Sequence, residues 1–288
     1  MKKNNLNTLL YCLIAVGMIS IFGCKKKDTP TDSDTTVASQ SATVQEETNN
    51  VLNAANSTYH DQSGNRILTV FTLLPACATV TGNALDTGAL KPGPHADTIN
   101  FGATPCQCTN WDNKFRKGMI IVSWNGGYRD SGGVVTIHTN NYCVSQDNGI
   151  HYDTLNLTLT LTNNGVNSLA HPIYTGYVSA AYINDSGKIS WNSNFNLEWI
   201  AGYNPVSILT TQMVITGSAV GVTTTGVSFN VTITSGLQFD VNCKYSIVAG
   251  KLTITEGTLA PRYVDFGTGT CSGKATVEIG GTFYTISL

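Results

Sequence analysis

The stretch Leu155-Asn156-Leu157-Thr158-Leu159-Thr160-Leu161-Thr162 (LNLTLTLT, residues 155–162) alternates without a break between aliphatic and polar side chains. In an extended chain successive side chains leave opposite faces. The four leucines therefore share one face, and asparagine and threonine share the other. That is the pattern of an antiparallel strand with one dry and one wet side. The same period runs to both sides of it, through MIIVSWN (119–125), KISWNSNFNLEWI (188–200), MVITGSAVGV (213–222), VSFNVTITS (227–235), KLTITEG (251–257), ATVEI (275–279) and TFYTISL (282–288). Gly126-Gly127 and Gly280-Gly281 sit where tight hairpin turns need positive φ. No stretch beyond residue 60 has a helical period. The expected fold is all-β, an antiparallel, sandwich-like body over residues 61–288.

Before it, KKKDTPTDSDTTVASQSA (25–42) has almost no large apolar side chain and reads as part of a flexible tether, residues 24–43. In VQEETNNVLNAANSTY, Val44, Val51, Leu52 and Ala55 recur at helical spacing, which predicts a short helix over 44–60.

Charged residues make up 12% of the chain, about half the usual share, with a formal net charge of −2. Threonine, serine, asparagine and glycine take their place. A nucleic-acid partner is not expected, since binding a phosphate backbone needs clustered Lys and Arg.

A second feature is a repeat. NFGATPC (100–106) returns as DFGTGTC (265–271). Cys77 lies 24 residues before Phe101 and Cys243 lies 23 before Phe266, and each phenylalanine is followed five residues on by Cys106 or Cys271. Beyond the repeat, RKGMIIVSWNGGY is similar to SGKATVEIGGTFY. The simplest cause is duplication of one β-unit with its own disulfide, giving two related units over about 66–165 and 166–288. Six cysteines follow the N-terminal region: Cys77, Cys106, Cys108, Cys143, Cys243 and Cys271. An even count predicts three disulfides outside the reducing cytosol. Duplication selects Cys77–Cys106 and Cys243–Cys271 and leaves Cys108–Cys143. The alternative set joins Cys77–Cys108 and Cys106–Cys143. Zinc is not expected, because Cys106-Gln107-Cys108 is tighter than the usual CxxC knuckle.

Catalytic signatures are missing. Asp265-Phe266-Gly267 spells the kinase metal triplet, but no catalytic loop accompanies it. GTGTCSGK (267–274) has the wrong glycine spacing for a phosphate loop, and a strand follows where a helix is required. His60, His95, His138, His151 and His171 have no metal spacing, and no close carboxylate pair suggests a glycosidase. No cofactor is expected, and an enzyme, such as a hydrolase, is the least favoured reading. The aromatics Trp111, Trp124, Trp191, Trp199, Tyr128, Tyr142 and Tyr203 leave two readings open, a core filling or exposed rings that hold sugars. Strand parity puts Trp191, Phe195, Leu197 and Trp199 on one face, which favours the core.

The N-terminus places two lysines, Lys2 and Lys3, before an apolar run from Leu9 to Phe22 that is too short to span a bilayer as a helix. Residues 1–23 read as a signal peptide. Ile21-Phe22-Gly23-Cys24 resembles the bacterial lipobox, with Phe22 standing where that motif has a small or hydroxyl residue. The likeness implies that Cys24 carries lipid and ties the chain to a membrane. An ordinary secretory signal with Cys24 incidental is the alternative, and Cys12 is discarded under both. Lys25 to Lys27 resemble the lysine-rich signals that take Bacteroidota lipoproteins to the cell surface. Asp34-Thr35-Thr36, Asp97-Thr98-Ile99 and Asp153-Thr154-Leu155 resemble Bacteroidota O-glycan acceptors, with Thr35, Thr98 and Thr154 as the candidate sites. Finally, RKGMIIVSWNGGYRDSGGVVTIHTNNYCV (116–144), GKISWNSNFNLEWIAG (187–202) and YVDFGTGTCSGKATVEIGGTFYTISL (263–288) resemble successive blocks of a group of Bacteroidota outer-membrane and surface lipoproteins. That resemblance implies a lipid anchor and a β body, and it brings no activity or catalytic residue. The expected role is structural or binding, with a glycan or a protein as ligand.

Overall fold

The computed structural model describes residues 32–56, 74, 77–82, 94–109, 111–125, 131–203, 210–240, 243 and 247–288. Residues 1–31, with Cys24 and its lysines, lie outside the described residues.

Among the described residues, one helix, α1 (Thr36–Asn56), precedes β1 (Thr79–Gly82), β2 (Pro94–Gln107), β3 (Phe115–Asn125) and β4 (Val134–Ser145). Next come β5 (Asp153–Val166), β6 (Pro172–Asn184), β7 (Gly187–Ala201), β8 (Gln212–Val222) and β9 (Ser228–Asp240). The chain ends in β10 (Ile247–Glu256), β11 (Arg262–Thr268), β12 (Lys274–Ile279) and β13 (Thr282–Ser287). Among the described residues every strand pairs antiparallel with its sequence neighbours, so thirteen strands form one sheet in chain order. The all-β reading holds. The layering is a single meander, because each connection returns the chain beside the strand it has just left.

Period-two alternation dictates the dry face. Leu155, Leu157, Leu159 and Leu161 are all buried. Leu159 faces Ile137 of β4 and Val178 of β6, and Leu157 faces Ala180, which in turn faces Trp191. Each such side chain contributes about 1.5–3 kcal/mol when fully buried. Gly280-Gly281 forms the expected two-residue turn, with φ 57° and 86° and Ile279 opposite Thr282. Gly126-Gly127 lies outside the described residues, and the strands on either side end at Asn125 and begin at Val134.

Helix α1 departs from expectation. It begins at Thr36, so 36–43, read from composition as tether, are helical; 57–60, expected at its end, lie outside the described residues. Residues 47–55 are buried without interruption, which on a helix means burial on every side. The helix reaches β3, β10 and, through Gln40, Thr224 between β8 and β9. The sheet therefore wraps it. Enclosure supplies the ordering that the small side chains Ser41, Ala42 and Thr43 do not.

Candidate functional site

The two copies of the repeat build the same corner. In the first, Asn100 Oδ1 accepts the Gly102 N–H at 2.8 Å; in the second, Asp265 Oδ1 accepts the Gly267 N–H at 2.8 Å. Phe101 and Phe266 are buried between them, and Gly102 and Gly267 turn the chain at φ 83° and 95°. The short side-chain acceptor closes a turn, and glycine accepts the left-handed φ that bends the strand away. Each corner leads to a disulfide. Cys77–Cys106 (Cα–Cα 5.8 Å) closes the open end of the β1–β2 hairpin, and Cys243–Cys271 (5.0 Å) closes that of β10–β11. One staple thus sits at the β1 edge of the sheet and the other between its tenth and eleventh strands.

The expected third bridge is not formed: Cys108 and Cys143 are free thiols. Cys108 is fully buried on the dry side. Cys143 lies between buried Tyr142 and Val144, so its side chain leaves the opposite face, with Sγ 3.5 Å from Thr154 Oγ1. A sheet stands between the two sulfurs. Burial raises the Cys108 pKa, against the pull of Arg116.

A charged cluster fastens α1 to the β2–β3 turn. Asn113 takes φ 63° there, and the Cys108 carbonyl accepts the N–H groups of Trp111 and Asn113 at 3.0 Å. The turn presents Asp112, which receives Arg116 in a two-pronged pair at 2.7 and 2.6 Å. Arg116 also donates to Tyr142 Oη at 2.8 Å and lies 4.2 Å from the Trp111 ring centroid. Glu47 of α1 accepts Lys114 at 2.8 Å and Gln146 at 3.0 Å, with Arg116 3.7 Å away. Burial alone would raise the Glu47 pKa, but the charges of Lys114 and Arg116 hold it down to about 2. Tyr182 donates to Asp153 at 2.6 Å at the margin of the cluster. Glu47 and Arg116 have no exposed side-chain surface, and their charges are met inside the cluster by Lys114 and Asp112. Chemically this is a lock.

The open site is on the wet face of β10–β13. A groove of about 620 Å³ runs there, with Tyr263 and Phe283 standing in it. Tyr263 is 50% exposed and Phe283 67%. Pairing sets the rows. Thr253, Tyr263, Glu278 and Phe283 lie side by side on the four strands, and Lys251, Asp265, Thr276 and Thr285 form the adjacent row. Lys251 and Asp265 form an ion pair at 2.8 Å. The Lys251 hydrogen bond and the Gly267 N–H hold the Asp265 carboxyl below its usual range.

The tryptophans took the core side of the choice. Trp111, Trp124 and Trp191 are buried, and Trp199 is half-buried against the core. Tyr142 is buried, Tyr203 packs edge-on to His171 at 5.5 Å, and Tyr128 and His60 lie outside the described residues. His95 is buried against Trp124, and His138 is half-exposed on β4. Thr35, Thr98 and Thr154 are each half-buried, the last two inside paired strands. The structure does not bring the three threonines together. Tyr263 and Phe283 were missed by the sequence reading. The signal was present in the Gly280-Gly281 turn, which sets Phe283 opposite Glu278 and away from Val277 and Ile279. Among the described residues, no group of three or more His, Cys, Asp or Glu is placed to hold a metal, and no helix is long and apolar enough to cross a membrane. The chain matches no protein-family model, no curated protein and no solved structure.

Proposed function

We propose that this is a lipid-anchored β-protein of the bacterial envelope, outer-membrane and surface-exposed, whose role is binding without catalysis. The observation that carries the reading is the pair of disulfides, Cys77–Cys106 and Cys243–Cys271, since such bridges persist outside the reducing cytosol. Cys24, behind its short apolar run, is the lipid attachment, and several acyl chains hold the protein on its membrane. The groove on β10–β13 is the face offered to a ligand. Thr35, Thr98 and Thr154 are its proposed O-glycan acceptors, and the sequence likeness to Bacteroidota lipoproteins supports the anchor and the β body.

The test is metabolic labelling with palmitate in a Bacteroidota host, followed by protease shaving of intact cells. The expected result is a labelled protein that shaving removes, with the label lost in Cys24→Ser. A protein that stays unlabelled, or that is soluble in the periplasm, contradicts the anchor.

A further inference from the structure

We infer that the wet face of β10–β13 is a platform for an uncharged carbohydrate chain. The inference rests on the binding role proposed above and is independent of the lipid anchor.

Four strands supply the floor, and the register puts the two rows named above on one side of it. Neighbouring strands lie about 4.8 Å apart, so Tyr263 on β11 and Phe283 on β13 stand roughly 10 Å from one another, with Glu278 of β12 between them. Both rings are at least half exposed. Single exposed apolar side chains are ordinary, but two rings flanking one groove give a ligand's apolar face something to lie against. Around them the lining is hydroxyl-rich: Thr268, Thr270, Ser272, Thr276 and Thr285 all face the groove.

Charge decides the ligand class. The groove holds two cations, Lys251 and Lys274, and two anions, Asp265 and Glu278. Lys251 and Asp265 are already paired with each other. A balanced floor gives an anionic polymer no electrostatic advantage. What fits is a molecule with apolar faces to lay against two rings and hydroxyl edges to meet threonine and carboxylate. A neutral sugar chain has both.

The groove is also held in shape. Thr270 and Ser272 flank Cys271, whose disulfide to Cys243 closes one end, and Asp265 and Gly267 of the corner form part of the wall. A fixed site loses less entropy on binding. Its volume lies in the usual range for ligand sites, about 300–1,000 Å³.

The experiment uses the full chain, purified in detergent with both disulfides intact. It is screened against neutral glucan, mannan and xylan oligosaccharides, and any hit is followed by calorimetry. The expected result is binding that changes little between roughly 50 and 500 mM salt. Tyr263→Ala and Phe283→Ala should each weaken it about tenfold or more, while Tyr263→Phe retains it. Both alanine variants alter exposed positions, so their unfolding midpoints should match the parent and a lost signal is not lost folding. The inference is overturned if no neutral glycan binds, if binding ignores both rings, or if only acidic glycans bind and salt abolishes it. A peptide or protein that binds the β13 edge through Phe283, with no glycan bound, would also overturn it while leaving the broader binding role standing.

Discussion

Asn100 and Asp265 occupy equivalent places in two separate corners of the sheet, each offering Oδ1 to the N–H of the glycine two residues on, at 2.8 Å. At Gly267 a Cβ would meet only the Val248 carbonyl oxygen, at 3.7 Å, so space is not limiting and φ 95° is. Gly267→Ala should therefore lower stability by about 1–2 kcal/mol, and Gly267→Asn should recover part of that. Gly250 differs, because its Cβ would be driven into the Gly236 carbonyl oxygen; Gly250→Ala should cost clearly more. Urea midpoints followed by tryptophan fluorescence rank the three.

The staples should be worth much more than the free thiols. The cystines join residues 29 and 28 positions apart. Replacing both members of either pair by alanine should cost about 3–4 kcal/mol in the chain-entropy account. Cys143→Ser changes a half-exposed side chain beside a threonine hydroxyl and should move stability by less than about 0.5 kcal/mol. The same denaturation series measures both.

Glu47 is a fully buried acid between two cations, and its loss leaves Lys114 with Glu46 alone and Arg116 with Asp112 alone. In Glu47→Ala, Lys114 and Arg116 stay in place without the carboxylate that sits between them. Breaking a buried pair from one side costs about 3–5 kcal/mol. Glu47→Leu together with Lys114→Met should recover part of it, since fewer charges remain buried. Thermal unfolding of the single and double variants decides this.

The same carboxylate sets an acid limit. Held down to about 2 against an ordinary 4.5, Glu47 contributes stability that is complete above pH 4.5 and is lost as pH falls toward 2. Glu46 works the other way. Burial raises its pKa, ahead of the opposing pull of Lys114, so its ionised form weakens the fold above pH 4.5. Glu47→Gln should flatten the fall in stability below pH 4.5, and Glu46→Gln should remove the loss of stability that Glu46 causes as pH rises above 4.5. Unfolding free energies measured from pH 7 to 2.5 distinguish the two.

Strand content, wet and dry faces, two of three disulfide pairs and the Gly280-Gly281 turn were all legible, because each follows from local chemistry: parity, cysteine spacing, left-handed φ. The early start of α1 was not. Nothing in Thr36 to Thr43 demands a helix until a sheet encloses it, and that enclosure is set by strands distant in sequence. Cys108–Cys143 failed for a related reason. Pairing by elimination counts sulfurs and ignores which face each one leaves, while Tyr142 and Val144 fix Cys143 on the wet side. Of the groove, the strands were legible. Tyr263 and Phe283 become neighbours only once β12 is laid between them.

The most direct test is a cysteine map of the native, unreduced protein, by alkylation under denaturing conditions and peptide mass spectrometry. The account predicts cross-linked peptides joining Cys77 to Cys106 and Cys243 to Cys271, with Cys108 and Cys143 both alkylated. A bridge between Cys108 and Cys143, or alkylation of all six, would contradict it.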